Sequence, residues 1–198
     1  MANEADEANE GIRSFFAADL DDAARRAAAG VARALREASG GDAVRWVRPE
    51  ALHVTLRFLG NIDPARVEPL ARAVGERVAP LAPFEIQLGA ARLFPSARRP
   101  RVVMIELAPA GPLEELAAAV EHCVVAAGFE PEGRRFRAHL TLGRVRGRRP
   151  PTMRGLAAPA GTACEVAEVV LYRSELKPSG AEYTPLERMA LHGSPLIH

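Results

Sequence analysis

The chain has 198 residues, 48% of them hydrophobic, with 26 basic against 25 acidic side chains. That is enough for one substantial core and short for two full domains, and a net charge of +1 gives no global argument for a polyanion, membrane or acidic partner. Any polyanion site must be local, and one imbalance exists: Arg134, Arg135, Arg137, Arg144, Arg146, Arg148 and Arg149 fall within sixteen residues that hold no Asp or Glu. Cys123 and Cys164 lie far apart, in neither a CxxC nor a Cys/His ligand spacing, so no zinc site or disulfide framework is indicated and a reducing cytoplasm fits best. The acidic start MANEADEANE lacks the regions of a secretory signal, and no apolar run approaches the roughly 18 residues of a bilayer span.

Residues 1–10 read as a disordered acidic tail, 11–193 as one domain and 194–198 as a C-terminal tail. IRSFFAADL reads as a strand. Leu20, Ala24, Ala27, Val31, Leu35 and Ala38 then recur at helical spacing up to Gly40 and Gly41. RWVRPE leads through a proline into the strand LHVTLRFLG. Asp63 as N-cap, Pro64 at the first helical position and the stripe Val67, Leu70, Ala71, Val74, Val78 predict a second helix ending at Pro80. FEIQLGAARLF and RPRVVMIELA read as paired strands around the turn PSARRP, and Leu113 to Ala127 as a helix closed by Gly128. RAHLTLGRV, CEVAEVVLYRSEL and YTPLERMAL complete the strands, the last two joined by KPSG. This order lacks the regular alternation of a parallel doubly wound sheet, so the expected class is α+β with mostly antiparallel pairing.

One pattern occurs twice: His53-Val54-Thr55-Leu56 and His139-Leu140-Thr141-Leu142. With five Thr and twenty Leu in the chain, a given His meets this pattern by chance about once in 400, so a pair is poorly explained by coincidence. In a strand, His and Thr of each motif share one face while the Val or Leu partners face the other, so the same four residues anchor the strand and present a polar pair. Imidazoles can act as acid and base near neutrality. In-line displacement at phosphorus needs these two functions on opposite sides, and the threonine hydroxyls suit the non-bridging oxygens. Nothing in the pattern requires a metal or other cofactor, and a strained cyclic phosphate is the natural target.

The paired HxTL segments, preceded by RSFFAADL and followed by EVVLYRSELKPSGAEYTPLERMAL, resemble the two-histidine phosphoesterases, in particular their RNA 2′,3′-cyclic phosphodiesterase branch, from about residue 12 to residue 191. The resemblance implies a bilobal α+β fold with a pseudo-twofold axis and a central cleft to which each lobe gives one HxTx strand. It implies His53 as proton donor to the leaving 3′ oxygen, His139 as the base that activates water, Thr55 and Thr141 as substrate-binding groups, a 2′-phosphate product, and reversal as 2′,5′ ligation. The partners so implied are RNA 3′ ends or nucleotide cyclic phosphates, and the chain is expected to be a cytoplasmic monomer without an obligatory protein partner.

Three features depart from the family pattern. Ala138 stands where Pro usually precedes the second His, Met104 and Glu106 stand where Trp and Gly are common, and Arg57 stands where a small residue is usual. By strand parity Arg57 shares the His53 face and is placed on the ligand. Arg144 matches a basic residue that often follows the second motif, but parity turns it away from His139 unless Gly143 introduces a bulge. His122, His192 and His198 read as structural or solvated, Arg98, Arg99 and Arg101 as solvated, and Trp46, Tyr172 and Tyr183 as core before base-stacking groups. Alternative functions with the same site are hydrolysis of small cyclic nucleotides, 2′,5′-oligoadenylates or ADP-ribose cyclic phosphate, or nucleotide binding without turnover.

Overall fold

The computed structural model describes residues 11–39, 43–146, 161–178 and 180–194. The expected terminal tail 1–10, Gly40, Gly41, Arg148, Arg149 and His198 lie outside the described residues.

The strands are β1 (Ile12–Asp19), β2 (Val44–Trp46), β3 (His53–Ile62), β4 (Phe84–Phe94), β5 (Val102–Ala108), β6 (His139–Val145), β7 (Ala163–Val166), β8 (Glu168–Lys177) and β9 (Gly180–Ala190). The helices are α1 (Asp22–Ser39), α2 (Val67–Val78) and α3 (Gly111–Ala126), with 3-10 turns at Pro49–Ala51 and Pro64–Arg66. Local chemistry sets these boundaries. Asp21 Oδ1 accepts from the Ala24 N–H at 2.8 Å, capping α1. Asp63 accepts from Ala65 N at 2.9 Å, but the turn it caps is 3-10 before α2 begins. Gly128, at φ 87°, follows α3 in the left-handed region that favours glycine.

The strands form two antiparallel sheets, in order β3-β1-β8-β9 and β2-β6-β5-β4-β7. Helix α1 packs on the five-stranded sheet, α2 and α3 on the four-stranded one. Side chains on the helix-facing sides of both sheets join in one apolar core that includes Phe16, Leu35, Val54, Val74, Ile105, Leu116, Leu140 and Leu171. The opposite, concave faces line a cleft, and the four-stranded sheet carries there a smaller cluster of Phe15, Ala17, Val170 and Tyr172, with Tyr183 against it.

Two expectations of strand layout change. The short strand β2 starts at Val44 and takes in the Arg45-Trp46 opening of RWVRPE, and CEVAEVVLYRSEL is two strands: β7 pairs β4 in one sheet, and after Ala167, β8 pairs β1 in the other. Continuous β-branched and apolar residues give no local mark of a sheet switch, which tertiary pairing decides.

Candidate functional site

The two HxTL motifs open β3 and β6, one in each sheet. Val54, Leu56, Leu140 and Leu142 are buried in the common core, while His53, Thr55, His139 and Thr141 are only partly covered on the concave side. Strands β3 and β6 run close together, near enough that charge on His139 acts on His53. The paired imidazoles therefore converge on one cleft.

Both rings are held by the same local device. His53 Nδ1–H donates to the carbonyl of Ala51 at 2.9 Å, and His139 Nδ1–H donates to that of Arg137 at 2.7 Å. A carbonyl can only accept, so these bonds fix the proton on Nδ1 and turn each Nε2 to the cleft. Nε2 of His53 accepts from the Thr55 hydroxyl at 3.0 Å. Nε2 of His139 and the hydroxyl of Thr141 have no hydrogen-bond partner among the described residues.

His53 sits deep. Its ring centroid lies 4.7 Å from that of Phe15 and 5.0 Å from that of Tyr183, the latter edge-on. Burial pushes its pKa down to about 4, against the opposing pull of the Ala51 carbonyl and of Asp19, while Arg25 and His139 lower it further. Asp19, the register partner of His53, accepts the Tyr172 hydroxyl at 2.7 Å. Burial first, and then that bond, raises the Tyr172 phenol above its ordinary range.

The turn before His53 is clamped from α1. Arg25 Nη1 donates to the carbonyls of Pro49, Glu50 and Leu52 at 3.1, 3.2 and 2.9 Å, and Nη2 to Leu20 at 3.1 Å. The remaining carbonyl of that turn, Ala51, is the one that holds His53.

At the last residue of each motif the strand carries an extra residue, and this changes which side chains reach the cleft beyond it. Thr55 pairs with Ala17 but Arg57 pairs with Phe16, leaving Leu56 unpaired as a bulge. Parity reverses there. Arg57 takes the face of the core residue Phe16 and ion-pairs with Glu121 of α3, also meeting Glu132 at 3.7 Å and the Glu130 carbonyl. The sequence placement of Arg57 on the ligand is thus corrected: its guanidinium lies behind the sheet and braces the loop before β6. Phe58 takes the cleft face instead, 5.8 Å from Phe15 and 49% exposed.

In β6, Thr141 pairs with Met104 and Gly143 with Val103, so Leu142 is the extra residue. Gly143 turns to the core side, where an added Cβ would stand 2.5 Å from Val44 Cγ1 and 3.0 Å from the Arg45 carbonyl. Arg144 pairs with Val102, two positions from Met104, and therefore shares the cleft face of Thr141. The bulge that parity alone could not assume is present. Phe58 and Arg144 consequently occupy equivalent positions after the two motifs, one apolar and one cationic.

The remaining candidates divide. Trp46 packs into the core, whereas Tyr172 and Tyr183 belong to the cleft-side cluster. His122 and His192 lie away from the imidazole pair, on α3 and after β9. Arg98, Arg99 and Arg101 are exposed between β4 and β5; Arg135 pairs with Glu114 at 3.4 Å and Arg137 lies over the Phe94 ring at 5.3 Å. Both cysteines are free and buried, and burial pushes the Cys164 thiol up to about 11. Among the described residues no three His, Cys, Asp or Glu side chains group as a metal site, and no helix is long and apolar enough to cross a membrane.

The profile of LigT like phosphoesterases matches residues 19–104 and again 105–183, each stretch holding one HxTL motif. The chain belongs to this family. It is 34% identical over 183 residues to the RNA 2′,3′-cyclic phosphodiesterase of Methanothermobacter thermautotrophicus, covering 89% of this chain and 97% of that protein. To the protein of the same name from Archaeoglobus fulgidus it is 36% identical over 180 residues, covering 88% and 98%. Among solved structures, TT0787 of Thermus thermophilus aligns with a TM-score of 0.73 at 33% identity, over 92% of this chain and 99% of that one. Escherichia coli LigT complexed with 3′-AMP aligns at 0.73 and 27% identity, over 92% and 99%. Within this phosphoesterase the departures at Met104 and Glu106 fall opposite Thr141 and His139 on β5, where Arg92 holds Glu106 at 3.2 Å. They alter the wall beside the second motif and leave its His and Thr in place.

Proposed function

We propose that the chain hydrolyses 2′,3′-cyclic phosphates at RNA 3′ ends, leaving a 2′-phosphate and a 3′-hydroxyl. The observation that carries this reading is the matched orientation of the two imidazoles: each Nδ1–H is tied to a carbonyl two residues upstream, so both Nε2 atoms serve the cleft. His139 Nε2, bare when the ring is neutral, takes a proton from water as the water oxygen bonds to phosphorus. The bond from phosphorus to O3′ breaks on the opposite side, and His53 Nε2–H gives its proton to O3′. Thr55, Thr141 and Arg144 hold the non-bridging oxygens, Thr55 exchanging its bond to His53 for one to phosphate. The exposed face of Phe58 takes the adjoining base.

A His53 buried as deeply as this one is neutral in the free protein near pH 7. Its donor role therefore requires the anionic substrate to raise its proton affinity, so that a proton enters with the ligand. Adenosine 2′-monophosphate binding, measured by calorimetry in buffers of different ionisation enthalpy, should show uptake of up to one proton at pH 7, lost in His53→Gln. Binding without proton uptake would exchange the donor and base assignments.

His53→Ala and His139→Ala should each lower kcat by several orders of magnitude, since neither ring substitutes for the other. Turnover at the wild-type rate in either variant removes the acid-base mechanism. Microscopic reversibility extends the same chemistry to 2′,5′ joining, and the two buried thiols suit a reducing compartment such as the cytoplasm.

A further inference from the structure

Several arginines around the sheets have a carboxylate or carbonyl partner: Arg25, Arg48, Arg57, Arg92, Arg173 and Arg188 are all engaged. Arg13, Arg45 and Arg144 are exposed and have no hydrogen bond or ion pair among the described residues. Topology gathers these three at one place. Arg45 of β2 is the register partner of Arg144 of β6, and Val44 and Trp46 on either side of it pack into the core, so Arg45 and Arg144 lie side by side on the cleft face. Arg13 stands two residues before Phe15 on β1, with the core-packed Ile12 next to it, which puts it on the cleft face of the other sheet.

Tyr183, on β9, belongs to the cleft-side cluster of the four-stranded sheet. Its ring is 5.0 Å from Phe15 and 5.0 Å from His53, and its phenol feels Arg144, Arg13 and Arg45 together, each opposing the rise that burial causes. The β8–β9 turn also approaches Arg45, since a Cβ at Gly180 would lie 3.8 Å from its Nη2. No carboxylate among the described residues neutralises the group: Glu182, next in sequence, is taken by Lys177 and by Arg48 at 3.6 Å. Unpaired guanidinium groups presented from two sheets to one cleft face repel one another unless an anion enters, and Arg144 follows the second motif on the same strand.

We infer that Arg13, Arg45 and Tyr183, together with Arg144, form a second anion subsite of the cleft, which takes the phosphate on the 5′ side of the nucleotide that carries the cyclic phosphate. The inference rests on the cyclic-phosphate reading and deepens it: the preferred substrate is a 5′-phosphorylated nucleotide or an RNA chain, whose next phosphodiester occupies that position, over a nucleoside cyclic phosphate.

The test separates the two claims. Affinities of adenosine 2′-monophosphate and adenosine 2′,5′-bisphosphate are measured by calorimetry on wild type, Arg13→Gln and Arg45→Gln, alongside turnover of adenosine 2′,3′-cyclic phosphate with and without a 5′-phosphate. Wild type should bind the bisphosphate at least about tenfold more tightly, each substitution should remove most of that preference, and added salt should erode it. A wild type that ignores the 5′-phosphate, or variants that keep the full preference, overturns the subsite. Turnover of neither cyclic phosphate, with the bisphosphate preference intact, overturns the hydrolytic reading and leaves the subsite standing.

Discussion

His53 is where pH acts on this molecule most directly. Its folded-state pKa of about 4 lies below the ordinary 6.5, so between these values the unfolded chain binds the extra proton. Stability contributed by the neutral buried ring is therefore whole above about pH 6.5 and is lost as pH falls through 4, a loss approaching about 3 kcal/mol. Urea unfolding at pH 7 and pH 4 should show a larger loss in wild type than in His53→Gln; equal losses would mean that His53 is not the buried neutral group described. Arg25→Ala should free the carbonyls that define the turn carrying Ala51, lowering kcat by about 10- to 100-fold through misplacement of the His53 ring. Arg25→Lys should recover only part, because an ammonium lacks the planar fork. A loss in KM alone would contradict a positioning role. The His and Thr of this cleft were legible in the sequence because their pattern recurs and strand parity gives them one face. Arg57 was not, because parity fails at an unpaired residue, and Leu56 looks like any strand leucine.

At the scale of elements, the two bulges decide which side chains reach the cleft beyond each motif. Only Gly143 hints at one, through the absent side chain that lets β2 approach β6. Gly143→Ala should destabilise the protein by about 1–3 kcal/mol and displace Arg144, raising KM for a cyclic-phosphate substrate. An unchanged urea midpoint and KM would show that β2 yields without disturbing the bulge. Helical stripes and caps located α1, α2 and α3 closely, since periodicity and capping are local signals. The exchange of β7 and β8 between sheets was illegible, because CEVAEVVLYRSEL satisfies strand preferences throughout and only long-range pairing breaks it at Ala167.

Across the whole molecule, each sheet is completed by elements from both ends of the chain. The four-stranded sheet takes β1 and β3 from the first half and β8 and β9 from the second; the five-stranded sheet takes β2 and β4 from the first and β5, β6 and β7 from the second. This interlacing brings motifs eighty-six positions apart to one cleft, while their alternate residues share one core. The α+β class and antiparallel pairing could be read from element order, whereas the interlacing could not. The measurement that tests the two-histidine mechanism most directly is the end-group produced from an oligonucleotide with a 2′,3′-cyclic phosphate, incubated with the purified protein in EDTA. The expected product is a 2′-phosphate beside a free 3′-hydroxyl, formed at full rate with the chelator present; a 3′-phosphate end, or turnover only after a divalent metal is added, would contradict it.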